Sequence, residues 1–204
     1  MAFLREGYGQ VEPNQLSAQK TGQIYASLPL DKEVKVLQNG EFMYYDYKTS
    51  TVTAGDETTL GEPMLVFNEI KLYEPHWQTS YKDFAMIRVG DNYVTSRRAT
   101  AAYGDGAENV GAEDRNHTEY GYRMDGIAPR LFKTNIGDIY TTNMVETGAD
   151  ITYVVGDTLT PVKDEKSKTL VLKKTSERTG MLWQVAKVYT MPDGQPGLKL
   201  QRVQ

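Results

Sequence analysis

The 204 residues of this chain, 39% hydrophobic and 25% charged, are apolar enough to build a core and too aromatic for a disordered chain. A net charge of −4 argues against a nucleic-acid partner, which calls for a basic excess, and the absence of cysteine excludes disulfides, thiolate zinc sites and thiol nucleophiles. No stretch approaches the roughly 18 consecutive apolar residues of a membrane helix, and the apolar run after Met1 ends at Arg5, too short for a signal peptide.

Residues 1–29 are rich in Gln, Gly and Ser and sustain neither a period of 2 nor one of 3.6, which reads as an N-terminal arm. Within it, Asn14 is placed to cap a short helix through Gln15, Leu16, Ser17 and Ala18, ended by Thr21-Gly22. Residues 30–100 read as a β domain, or as the first half of a single one. Their strongest signal is Val34 to Gln38, then Asn39-Gly40, then Glu41 to Tyr47. Asn-Gly suits a type I′ turn, and the β-branched and aromatic flanks predict a hairpin. Thr51–Thr53 extends this sheet, Met64–Tyr73 predicts a strand that Pro75 stops, and Ala85–Val89 with Tyr93–Ser96 predicts a second hairpin.

Residues 101–128 change character, with glycines at 104, 106, 111, 121 and 126 among acidic residues, and read as a long loop. Residues 129–204 return to short strands: 138–142, 151–155, 169–172, 183–189 and 197–203, each bounded by turn residues. Trp183, Val185 and Tyr189 share no strict alternation with Val188. The predicted class is all-β, a small barrel or sandwich with an extended arm and a long central loop.

Few residues point to chemistry. His76 and His117 are the only histidines, and neither lies in a nucleophile motif; phosphate-cradling and zinc-protease signatures are absent. Asp105, Glu108, Glu113, Asp114 and Asp125 offer hard oxygen ligands suited to calcium, without EF-hand spacing, and read first as a solvated loop. Asp164 with Glu165, or Asp46 with Asp56, has the residue types of a glycosidase pair, but 27 acidic residues produce such pairs by chance. Residues 164–168 read as a charged turn. Trp77, Trp183 and Tyr44, Tyr45 and Tyr47 suit either a sugar-stacking platform or packing. No catalytic, cofactor or metal residue is therefore assigned. Arg97-Arg98 is a surface doublet suited to a protein contact.

The runs Gly156 to Pro161, Leu182 to Val185 and Tyr189 to Leu200, with Val36 to Phe42 and the Gln-rich arm as weaker support, resemble virion structural proteins of tailed bacteriophages, in particular capsid decoration proteins. The resemblance covers about a third of the chain. It implies a non-enzymatic protein, made in the host cytoplasm and resident in the virion, that binds the major capsid protein or other virion proteins and stabilises the head. A trimer would suit a symmetric lattice position. In that setting the arm is expected to dock through Phe3, Leu4 and Tyr8, with Arg97 and Arg98 as further contacts, and its deletion to leave the domain folded. Another head or tail structural component, a carbohydrate-binding β module and a hydrolase with a hidden acidic pair are the competing expectations.

Overall fold

The computed structural model describes residues 3–5, 9–31, 33–34, 36–56, 58–68, 86–88, 128–191 and 194–204. These form one short helix, α1 (Ser17–Thr21), and thirteen strands. The first seven are β1 (Val11–Gln15), β2 (Ile24–Tyr25), β3 (Val36–Gln38), β4 (Phe42–Asp46), β5 (Thr51–Thr53), β6 (Met64–Val66) and β7 (Met86–Arg88). They are followed by β8 (Leu131–Phe132), β9 (Ile139–Thr142), β10 (Thr158–Asp164), β11 (Thr169–Lys174), β12 (Trp183–Thr190) and β13 (Pro196–Arg202). The all-β expectation holds: among the described residues strand predominates and helix is almost absent, in a curled antiparallel half-barrel sheet.

The sheet runs β1-β9-β13-β12-β10-β11-β4-β6-β8-β2, with β5 paired to β4 and a separate β3-β7 pair. Both halves of the sequence share it, because β11 pairs with β4 at Leu170↔Phe42 and β1 pairs with β9. Its two outer strands, β1 and β2, are consecutive in the chain and joined through α1. Leu16 and Ala18 on this connection are buried in the main core. Residues 1–29, expected to form an arm, therefore supply both sheet edges. Pro13 fits there, since an edge strand tolerates a residue that cannot donate to a ladder.

Two cores follow from the alternation of strand side chains. Phe42, Leu65 and Phe132 enter the main core with Trp183, Tyr140, Leu198 and Leu200. Their neighbours Met43, Val66 and Leu131 point the other way, into a second cluster with Leu37, Val52, Val34 and Leu30. Strands β4, β6 and β8 are thus apolar on both faces, which is why their sequences lack polar alternation.

Asn39-Gly40 makes a turn, but β3 and β4 do not form the predicted hairpin; β3 pairs with β7 and β4 with β5, β6 and β11. A type I′ turn needs two left-handed residues, and only Gly40 adopts that geometry, at φ 92°. The Asn39 side chain instead pairs with the backbone of Asn68, accepting from its N–H at 2.7 Å and donating to its carbonyl at 3.1 Å. The broken alternation in β12 also has a cause: an irregularity between Val185 and Lys187 leaves Ala186 without a partner on β13.

Residues 151–155 are not a strand. Asp157 captures the Val154 N–H at 2.9 Å and the chain turns through Gly156 at φ 95°, so no ladder is available to this run. Of the second predicted hairpin only β7 lies among the described residues, where it pairs with β3; its turn and second strand lie outside them, together with residues 69–73 and the loop at 101–127.

Candidate interaction surface

Three charged side chains of the scaffold, Glu41, Asp138 and Arg202, are buried and brace it. Glu41 is buried at the turn between β3 and β4, where its carboxylate accepts from the Gln38 N–H at 2.7 Å and the Thr169 hydroxyl at 3.0 Å. Burial pushes its carboxyl up to about 7, and the nearby Arg5 guanidinium opposes this without cancelling it.

A second brace ties the loop between β8 and β9 to its surroundings. Asp138 receives the Ser17 N–H and hydroxyl, both at 2.9 Å, and the Asn135 N–H at 2.9 Å. It thereby caps α1 from outside the helix. Asn14, expected as the cap, instead accepts from Thr141, and Gly22 ends the helix at φ 70° as expected. The buried Arg202 donates to the carbonyl and hydroxyl of Thr134, to the Gln204 carbonyl and to Glu62 at 2.7 Å. It occupies the inward phase set by Leu198 and Leu200, so strand periodicity marks it even though its charge suggests the surface.

The carboxylate pairs considered from sequence belong to turns. Asp46 accepts from the Lys48 N–H and the Thr49 hydroxyl, and Asp56 from the Thr58 N–H and the Thr58 and Thr59 hydroxyls. Asp164 accepts the Ser167 N–H and hydroxyl, and Glu165 pairs with Lys168 at 2.8 Å. Hydrogen bonds from backbone and hydroxyl donors hold Asp46, Asp56 and Asp164 below the usual carboxylate range. Each of these acids closes a local loop, and none faces another across a cleft. Among the described residues no cluster of three or more His, Asp or Glu is arranged to hold a metal. His76, His117, Trp77 and the acidic loop lie outside the described residues.

Trp183 is a core residue, stacked edge-on with Tyr140 at 4.9 Å and tilted against Phe42 at 5.9 Å, so it offers nothing to a sugar. Phe3, expected at a docking surface, is only 4% exposed and packs edge-on against Tyr153 at 5.2 Å. Backbone bonds from Phe3 to Ile151 and from Gly148 to Phe3 hold it there. Its neighbour Leu4 is 53% exposed. Tyr8, Arg97 and Arg98 lie outside the described residues.

Outward apolar groups gather where sequence patterning did not place them. Leu60 is 93% exposed on the loop between β5 and β6, Ile136 is 71% exposed before β9, and Val203 is half-exposed after β13. Each lies one or two positions along the chain from Glu62, Thr134 or Arg202, and Arg202 bonds to both of the other two. Beside them opens a cavity of about 340 Å³ lined by Tyr25, Tyr45, Leu60, Met64, Lys133 and Thr134. The Tyr45 hydroxyl is fixed by Ser27, accepting from its N–H at 3.2 Å and donating to its hydroxyl at 2.9 Å. The Tyr25 and Tyr45 rings lie 5.2 Å apart at 54°, and Tyr47 stands edge-on to Tyr45 at 77°. Nothing in the sequence marked Leu60, whose exposure comes from a loop and not from any periodic pattern.

Comparison with protein-family models, curated proteins and solved structures finds no match to this chain.

Proposed function

We propose that this chain is a non-enzymatic structural protein of a phage virion, a decoration protein that binds an assembled head and stabilises it. One contrast carries this reading: the buried ionisable groups Glu41, Asp138 and Arg202 are engaged in internal braces, while Leu60, Ile136, Tyr47, Val154 and Val155 stand exposed on loops. Exposed apolar side chains on a braced β body suit a partner surface better than a reaction centre. A protein that binds the assembled lattice and not its free subunits stabilises it by mass action. The partner is then the major capsid protein or another virion protein, with self-association as a trimer matching a three-fold lattice position. Ring geometry disfavours the carbohydrate-binding alternative, because Tyr25, Tyr45 and Tyr47 are mutually tilted and not coplanar.

The test is sedimentation of the purified protein with tailed-phage heads stripped of accessory proteins, followed by negative-stain microscopy. Expected are saturable binding to assembled heads, none to free capsid subunits, and loss of attachment in a Leu60→Asp, Ile136→Asp variant with an unchanged circular dichroism spectrum. Binding to a polysaccharide panel in place of heads would overturn the proposal.

A further inference from the structure

The cavity beside Leu60 supports a more specific inference, which rests on the reading of this chain as a docking protein. Tyr25, Tyr45 and Met64 give it apolar lining, and the Tyr45–Ser27 bonds hold one of those rings in place before any partner arrives. Pockets lined by fixed aromatic rings are where interfaces seat an anchoring side chain, because little conformational entropy is lost on binding. The lining carries one acid and one base. Glu62 contributes to the lining, but its carboxylate is held by Arg202 at 2.7 Å. Lys133, on the same wall, uses its backbone N–H toward Gln23 and has no ion-pair partner among the described residues.

We propose that this cavity receives an apolar side chain carried on an acidic segment of a partner protein, with the side chain against Tyr25, Tyr45 and Met64 and a neighbouring carboxylate on Lys133. Charge complementarity selects this occupant: a basic segment would bring a second cation to Lys133, and a neutral one would leave that ammonium unanswered. A pyranose is the weaker fit. The two lining rings tilt 54° to one another and offer no flat platform for it.

The probe is a pair of short peptides, acetyl-Phe-Asp-Asp-amide and acetyl-Phe-Lys-Lys-amide, titrated into protein carrying 13C-labelled Met and Thr methyls. The acidic peptide is expected to shift the Met64 and Thr134 methyl signals saturably, and to bind about threefold to fivefold more tightly than the basic one, the range of a partly exposed ion pair. Lys133→Ala should abolish the difference between the peptides while leaving residual binding, and Leu60→Ala should weaken both. Equal affinity for the two peptides in the unaltered protein, shifts confined to other methyls, or Met64 shifts produced by a hexose panel and not by peptide would each overturn the proposal. Because the probes are peptides, failure of head binding would leave this result intact, and failure here would leave attachment through another surface open to the sedimentation test.

Discussion

The Thr169 hydroxyl donates to the buried carboxylate of Glu41 at 3.0 Å, joining β11 to the turn that precedes β4 across 128 positions of sequence. Burial raises this carboxyl from 4.5 to about 7, so the folded state holds its proton more tightly than the unfolded chain does. The stabilisation is fully present below pH 4.5 and is lost as pH rises through 7. Its size is on the order of 3 kcal/mol at most. The melting midpoint is therefore expected to fall by roughly 5–10 °C between pH 5 and pH 8. Acids whose values are lowered, such as Asp46 and Asp164, act in the opposite sense but below this window. Glu41→Gln keeps an acceptor for the Gln38 N–H and should flatten the profile. Identical slopes in the two proteins would show that Glu41 does not titrate there.

Arg202 and Glu62 share an ion pair but should differ sharply on substitution. The guanidinium is buried and also bonded to Thr134 and Gln204, whereas the Glu62 side chain is more than half exposed. Arg202→Met leaves the Thr134 carbonyl and hydroxyl without their donor and should cost about 3 kcal/mol or more. Solvent screens the ion pair itself, so Glu62→Gln should cost under about 1 kcal/mol. Urea unfolding of both variants measures the contrast. Comparable losses would place the stabilising contribution on the ion pair and not on the bonds to backbone.

Tyr140 supplies a case in which removing a polar atom should help. Its ring packs edge-on to Trp183, but its hydroxyl is buried with no hydrogen-bond partner among the described residues, and burial raises its ionisation well above the usual tyrosine range. Tyr140→Phe keeps the ring contact and relieves an unsatisfied group worth about 1 kcal/mol or more. A midpoint unchanged or higher by a few degrees is expected, and a clear loss would reveal a partner for that hydroxyl.

Legibility in the sequence followed the physics of each element. β9, β11 and β13 were readable because Tyr140, Leu170, Leu172, Leu198 and Leu200 alternate toward one core, and β12 because of its β-branched and aromatic content despite the irregularity at Ala186. β1 was not, since Pro13, Asn14 and Gln15 are exposed on an edge and carry no apolar period. β2 and β8, at two residues each, are too short to show one. The Asn39-Gly40 turn was located but its pairing was not, because tertiary contacts at Asn68 and Met144 decide the direction of the chain. Glu41 gave no signal at all: a buried acid and a surface acid look alike until the turn folds over it. The outward corner at Leu60 was equally silent, being assembled from β2, β4, β6 and two loops.

Gly40 tests how closely that turn is packed. An added methyl group would lie 2.5 Å from Met144 Cβ and 2.6 Å from the Thr142 hydroxyl, and the residue sits at φ 92°. Gly156 has a comparable φ of 95° but open space around it. Gly156→Ala should therefore cost only the backbone strain, about 1 kcal/mol, while Gly40→Ala adds overpacking of about 1–3 kcal/mol. Equal losses by chemical denaturation would mean that Met144 moves aside freely.

Deletion of residues 1–29 separates an accessory arm from an integral edge. An arm leaves a folded body when it is removed. Here the deletion takes away β1, α1 and β2, strips the Leu16 and Ala18 side chains from the main core, and leaves Asp138 without its Ser17 partners. It also exposes the ladder edges of β9 and β8, which invite association with other chains. The truncated chain is expected to aggregate or to lose cooperative melting. Leu16→Ala, a milder probe of the same seam, should lower stability by about 2–4 kcal/mol without loss of the β spectrum. A truncated protein that melts cooperatively within a few degrees of the intact chain would mean that the curl of the sheet holds without its edge strands, and that β1, α1 and β2 merely rest upon it.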